Sequence, residues 1–318
     1  KQMTFYITRD VVSNVIADIN NITFEVKDKK KKKKKYSSYG ELYGNFDSRE
    51  NKALPFIFAK NTIDFLFDHM NKAGNNGSQK NINISFYGGE PLLKIDLIKK
   101  IIDYLEFLPV PFTFEYSMTT NGVLLDKHLD YLVEKEFDLA ISLDGNEGQN
   151  SYRVYGNGKY SFHDVLKNIQ QLKNDYPDYY KHHVNVLSVL HNKNSIVDTS
   201  KYIKSNIDKT PVFSQLSDLG VLPEKKKEFN ELYSNLSAEF KKAHSCAKYT
   251  EEQILTRDPY KQSFLSSIIL QSNSGYLNYS DFKLIRKKEM PTDTCLPFQK
   301  SMFVTVNGKL LPCESVGH

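Results

Sequence analysis

The residues best suited to chemistry are Gly88, Gly89, Glu90 and Pro91. They follow a short apolar run at 84–87 and precede an apolar helical face through Leu92, Leu93, Ile95, Leu97 and Ile98. A strand, a glycine turn and a proline at a helix start with an acid beside it form a cradle at the strand's carboxyl end. Glycines let backbone N–H and C=O groups come close to a ligand there. Taken alone, a glycine pair is more often a tight turn between a strand and a helix, so the cradle needs support from elsewhere in the chain.

The surrounding pattern is one of alternating elements. Strands are expected at 4–8, 82–87, 112–119, 138–143, 184–190 and 210–216, the last with Pro211 at its edge. Helices are expected at 58–70, 93–105, 126–135, 162–172 and 195–205; the fourth carries His163, Asp164, Lys167 and Gln170 on its polar side. Residues 20–52 are polar and lysine-rich, and read mostly as loop. Such alternation argues for parallel βα units, with an open doubly wound sheet as the alternative to a barrel. The candidate residues all fall just after strands, as they would on the carboxyl-terminal face of a βα barrel. Beyond 222 the chain reads as amphipathic helix to about 285, with Phe229, Leu232, Tyr233, Leu236 and Phe240 on one stripe that packs. A hairpin is expected around Asn307-Gly308, between 302–306 and 309–311.

Composition narrows the classes. The net charge of +5 is smaller than the lysine run at 29–35, which reads as a solvated loop rather than a nucleic-acid surface. No stretch is long and apolar enough to span a membrane, and the start lacks a secretory core. Three cysteines, Cys246, Cys295 and Cys313, make no disulfide framework, so a cytoplasmic protein is expected.

The motifs together resemble radical S-adenosylmethionine enzymes, especially the peptide-modifying maturases with a SPASM extension. Residues 84–93 resemble that family's cofactor-binding turn. Thr120-Asn121-Gly122 resembles the motif that ends its third strand, and Ser142-Leu143-Asp144-Gly145 the motif that ends its fourth. Arg153, Gly158, Ser161 and Phe162 resemble a later segment in the right order. The resemblance implies a partial (β/α)6 barrel of the α/β class. It also implies an S-adenosylmethionine site built from Gly88, Gly89, Glu90, Pro91, Asn121, Ser142 and Arg153. In relatives the serine and arginine meet the methionyl carboxylate, for which an arginine offers a matched fork of donors. The turn, including the Glu90 side chain, would hold the amino group. Asp144 is expected either to take a polar role in the same pocket or to satisfy nearby backbone N–H groups. The implied partner is a ribosomally made precursor peptide.

Cys295, Gly308 and Cys313 fit the opening of a SPASM segment, in which the two thiolates ligate an auxiliary iron–sulfur cluster. The implied domains are a barrel at 1–216 with a lysine-rich loop at 27–52, a helical linker at 217–290 and an incomplete SPASM segment at 291–318. Two ligands do not hold a cluster alone, and Cys246 matches no part of the pattern. The first strand lies almost at the start of the chain, with no peptide-recognition domain expected before it.

One departure decides the chemistry. The family holds its radical [4Fe–4S] cluster by C-x3-C-x2-C after the first strand, where this chain carries Val11, Val15 and Asp18. Valine has no donor atom, and one carboxylate does not replace three thiolates. One explanation is a pseudoenzyme that binds a peptide or a partner maturase. The other is a shifted reading frame: valine codons begin GT, so a preceding codon ending in T reads TGT, cysteine, one base earlier. Asp10 before Val11 and Asn14 before Val15 each have one codon that ends in T, and the two valines have the spacing of the first two ligands. Ala17 after Ile16 gives a third cysteine one residue early.

Overall fold

The computed structural model describes residues 21–26, 42–43, 52–72, 80–155, 158–218, 220–245 and 301–311. In chain order its main elements are β1 (Asn21–Glu25), α1 (Phe56–Lys72), β2 (Lys80–Tyr87), α2 (Ile95–Phe107), β3 (Phe112–Thr120), α3 (Leu129–Glu134) and β4 (Asp138–Ser142). There follow α4 (Phe162–Asp175), α5 (Pro177–His183), β5 (Val184–Leu190), α6 (Ile196–Ile207), β6 (Pro211–Gln215), α7 (Lys226–Leu232), α8 (Leu236–Ser245), β7 (Ser301–Val304) and β8 (Leu310–Leu311).

One sheet runs β6-β5-β4-β3-β2-β1-β7-β8. Strands β1 to β6 are parallel and lie in sequence order, each beside its chain neighbour. A doubly wound sheet would reverse its order at a switch point. This one does not, which is the arrangement of a partial α/β barrel and places every strand's carboxyl end on one side.

Apolar runs in the strands and one-sided helices explain the core. Helix α2 buries Ile95, Ile98, Ile101, Ile102 and Leu105, the three-and-four spacing of a single helical face. Each such side chain contributes about 1.5–3 kcal/mol by leaving water. Phe24, Phe86, Ile22, Ile82 and Ile84 are fully buried beneath them. The polar side expected for α4 is exposed at His163, Asp164, Lys167 and Gln170.

Two expectations change. Residues 20–52 are not all loop, because Asn21–Glu25 forms β1, parallel to both β2 and β7. Its buried Glu25 hid it, since a carboxylate in a strand argues for exposure. Here Val306 N–H donates to Glu25 Oε2 at 2.9 Å, which ties the carboxyl-terminal hairpin to β1. The strand expected at 4–8 lies outside the described residues, as do 246–285 of the expected helical stretch. Within 222–245 the stripe divides into α7 and α8, broken at Tyr233–Asn235 rather than continuous. Phe229 and Leu232 pack with Leu42, Tyr43 and Leu216 over the end of the sheet. The hairpin at Asn307-Gly308 is present, with β7 antiparallel to β8.

Candidate functional site

The carboxyl ends of β2, β3, β4 and β5 carry the candidate residues. After β2 the chain turns at Gly88, whose φ of +133° suits glycine. A Cβ there would lie 2.4 Å from the Val26 carbonyl oxygen, so the turn packs directly on the end of β1. Gly89 differs: a Cβ on it would meet nothing within 4 Å. Among the described residues, no atom would fill the place of that Cβ.

Glu90 caps the 3-10 turn Pro91–Lys94 that leads into α2. Its side chain is buried, and both oxygens are engaged. Thr120 Oγ1 donates to Oε1 at 2.6 Å, and the Asn121 N–H donates to Oε2 at 2.8 Å. Leu92 N–H approaches Oε1 at 3.4 Å. Glu90 thus stitches the β2 turn to the β3 turn. Within the protein the carboxylate thus has a structural role, with two donors on Oε1 and one on Oε2. Asn121 Oδ1 accepts from Val123 N–H, and the Asn168 side chain on α4 braces the same turn through the carbonyls of Gly122 and Val123.

On the other side, Ser142 is half-buried at the last position of β4, and Asp144 follows two residues later, 3% exposed. Arg153 Nε donates to Asp144 Oδ2 and Nη2 donates to Oδ1, both at 2.7 Å. Val189 N–H adds a third donor to Asp144 at 2.8 Å. Asp144 therefore satisfies a backbone N–H, one of the two roles expected of it, and pairs with Arg153. The pair uses two of the five guanidinium N–H donors, so one edge of the fork, Nη1 with the second Nη2 hydrogen, has no partner among the described residues. Arg153 is itself seated by the strand-like turn to Ser161, whose hydroxyl donates to its carbonyl at 3.0 Å. Gly156 and Asn157 of that segment lie outside the described residues.

His191, at the end of β5, was not evident from the sequence. It is 2% exposed, with Nε2 3.8 Å from Asp144 Oδ2 and Nδ1 accepting from Lys193 N–H at 3.1 Å. Burial lowers its pKa to about 4; Asp144 acts in the opposite sense, while Arg153 and Lys193 reinforce the lowering. The ring is neutral at physiological pH. Its only sequence signal was a position just past a strand, which surface residues share.

The donors fit an amino-acid-like ligand: a guanidinium edge of Arg153 without a partner among the described residues, and the half-buried side chains of Asn121 and Ser142. They do not fit an iron–sulfur cluster. Val11, Val15, Asp18, Cys246, Cys295 and Cys313 lie outside the described residues. Among the described residues no group of three or more His, Cys, Asp or Glu side chains could hold a metal ion. No cysteine precedes Cys246, so neither the expected strand at 4–8 nor the observed β1 is followed by three thiolates. Among the described residues no helix is long and apolar enough to cross a membrane.

Comparison with known proteins agrees with this geometry. The model of the Radical SAM superfamily matches residues 60–203, which include β2 to β5 and the cradle between them. An uncharacterized protein of Methanocaldococcus jannaschii is 32% identical over 203 residues, covering 63% of this chain and 64% of that protein. The Radical SAM cyclopropyl synthase TigE of Paramaledivibacter caminithermalis is 26% identical over 195 residues, covering 60% of this chain and 37% of that one. The chain thus spans less than two thirds of the length of either curated relative. Among solved structures, anSMEcpe with bound AdoMet superposes with a TM-score of 0.57 at 17% identity, covering 93% of this chain and 75% of that one. With bound AdoMet and the Cp18Cys peptide the TM-score is 0.59. The consecutive parallel strands, the glycine cradle after β2 and the superfamily match agree: residues 60–203 are similar to the Radical SAM superfamily.

Proposed function

We propose that this chain is a maturase-type member of the superfamily that binds S-adenosylmethionine at the ends of β2 to β4 and a peptide at the same end of the barrel. The observation that carries the reading is the guanidinium edge of Arg153 that has no partner among the described residues, at the end of the barrel where Glu90 locks the β2 turn to Asn121. Gly88 and Gly89 would present backbone to the amino group. Arg153, through its open edge, and Ser142 would receive the carboxylate. The peptide-bound anSMEcpe supports a peptide as the second ligand.

Bound next to a reduced [4Fe–4S] cluster, S-adenosylmethionine supplies a hydrogen-abstracting radical in this superfamily. Val11, Val15 and Asp18 offer one carboxylate and no thiolate, so we place no such chemistry on the chain as it stands. Its role is then binding, of a precursor peptide or of a partner maturase.

Calorimetry with S-adenosylmethionine tests the site. Wild type should bind, and Arg153→Ala should weaken binding about 10- to 100-fold, the worth of a charge-assisted pair. Absence of binding to wild type overturns the reading.

A second reading rests on Val11 and Val15, whose spacing is that of two cluster ligands. If the gene is read one base earlier there, the thiolates return and the chain is a radical peptide maturase. The nucleotide sequence tests this: codons for Asp10 and Asn14 that end in C exclude it.

A further inference from the structure

We propose that Asp144 is a positioning residue for carboxylate recognition: it grips Arg153 by one edge of the guanidinium so that the other edge is presented to the ligand. The inference rests on the S-adenosylmethionine site proposed above. A lone arginine reaching across a strand end has several rotamers, and holding one of them for a ligand costs entropy at the moment of binding. Asp144 removes that freedom in advance. Both its oxygens are used, Nε donating to Oδ2 and Nη2 to Oδ1 at 2.7 Å, so the guanidinium plane is fixed as well as its place.

The acid is itself immobile. Val189 N–H donates to Oδ1 at 2.8 Å, and Asp144 N–H donates to Asn150 Oδ1 at 3.0 Å. Its carbonyl accepts from the Asn194 amide and the Thr199 hydroxyl, both at 3.2 Å. The Asp144 side chain is 4% exposed and that of Arg153 24%, so solvent reaches the arginine and hardly the acid. A ligand arriving from solvent therefore meets the guanidinium first. His191, neutral at 3.8 Å, does not compete with Arg153 for the carboxylate's charge. An arginine already paired along its Nε–Nη2 edge keeps three N–H donors, including the parallel pair that a second carboxylate needs.

The test compares S-adenosylmethionine with its decarboxylated analogue, by calorimetry on the full chain. Wild type should prefer the carboxylated ligand by about tenfold or more. Asp144→Asn should bring that preference to within about twofold, with affinity for the decarboxylated analogue unchanged. Asp144→Glu, which keeps the charge but displaces it by one methylene, should also lose preference, and serves if the asparagine variant does not fold. Equal weakening of both ligands, or full preference retained in a folded Asp144 variant, overturns the positioning role. A wild type that binds neither ligand, or binds both alike, refutes the S-adenosylmethionine site itself.

Discussion

Thr120 Oγ1 stands 2.6 Å from Glu90 Oε1, donating from the end of β3 to the turn after β2. The two residues are thirty positions apart, and their contact fixes the gap between the turns after β2 and β3. Glu90 does this through buried oxygens that both accept, so its value depends on being an acceptor only.

Replacing Glu90 by Gln puts an amide NH2 where an N–H already donates. Glu90→Gln should lose about 1–3 kcal/mol in urea unfolding, the cost of an orphaned buried donor. Binding of S-adenosylmethionine should weaken with it, since the Asn121 turn is no longer tied. Unchanged stability would contradict the stitch.

The two glycines of the turn should respond oppositely to Ala. Gly88→Ala meets the Val26 carbonyl at 2.4 Å with φ at +133°, and should cost about 3 kcal/mol or more. Gly89→Ala meets nothing within 4 Å, and should change stability by no more than about 0.5 kcal/mol. A larger Gly89→Val should leave the fold standing and reduce cofactor affinity about tenfold or more. Thermal unfolding and calorimetry on the same preparations separate the two effects.

His191 makes stability sensitive to acid. Its folded pKa is near 4 against an ordinary value of 6.5, so the unfolded chain takes up the proton first. The contribution from its neutral burial is fully present above about pH 6.5 and is lost as pH falls toward 4, by about 3 kcal/mol in all. Urea unfolding of wild type and His191→Gln across pH 7 to 4 should show this slope in the first and not in the second.

Much of this arrangement was legible in the sequence. The apolar runs of β2 to β5 and the motifs at their ends were local, so pattern sufficed to order them. β1 was not, because one partner of the buried Glu25 is the Val306 N–H, nearly three hundred residues away. The Arg153–Asp144 pair and the Thr120–Glu90 stitch escaped for the same reason: Glu90, Asp144 and Arg153 were expected near one pocket, but which side chain pairs with which depends on the fold. Asn168 had a helical position on a buried face, and a polar residue there was a signal that could have been followed to the β3 turn.

We propose that this chain holds S-adenosylmethionine without cleaving it. The direct measurement is chromatography of adenosyl products after anaerobic iron and sulfide reconstitution and incubation with S-adenosylmethionine and dithionite. The account predicts that protein-bound S-adenosylmethionine is recovered intact, with no 5′-deoxyadenosine above a protein-free control. Formation of 5′-deoxyadenosine by the chain carrying Val11, Val15 and Asp18 would contradict it.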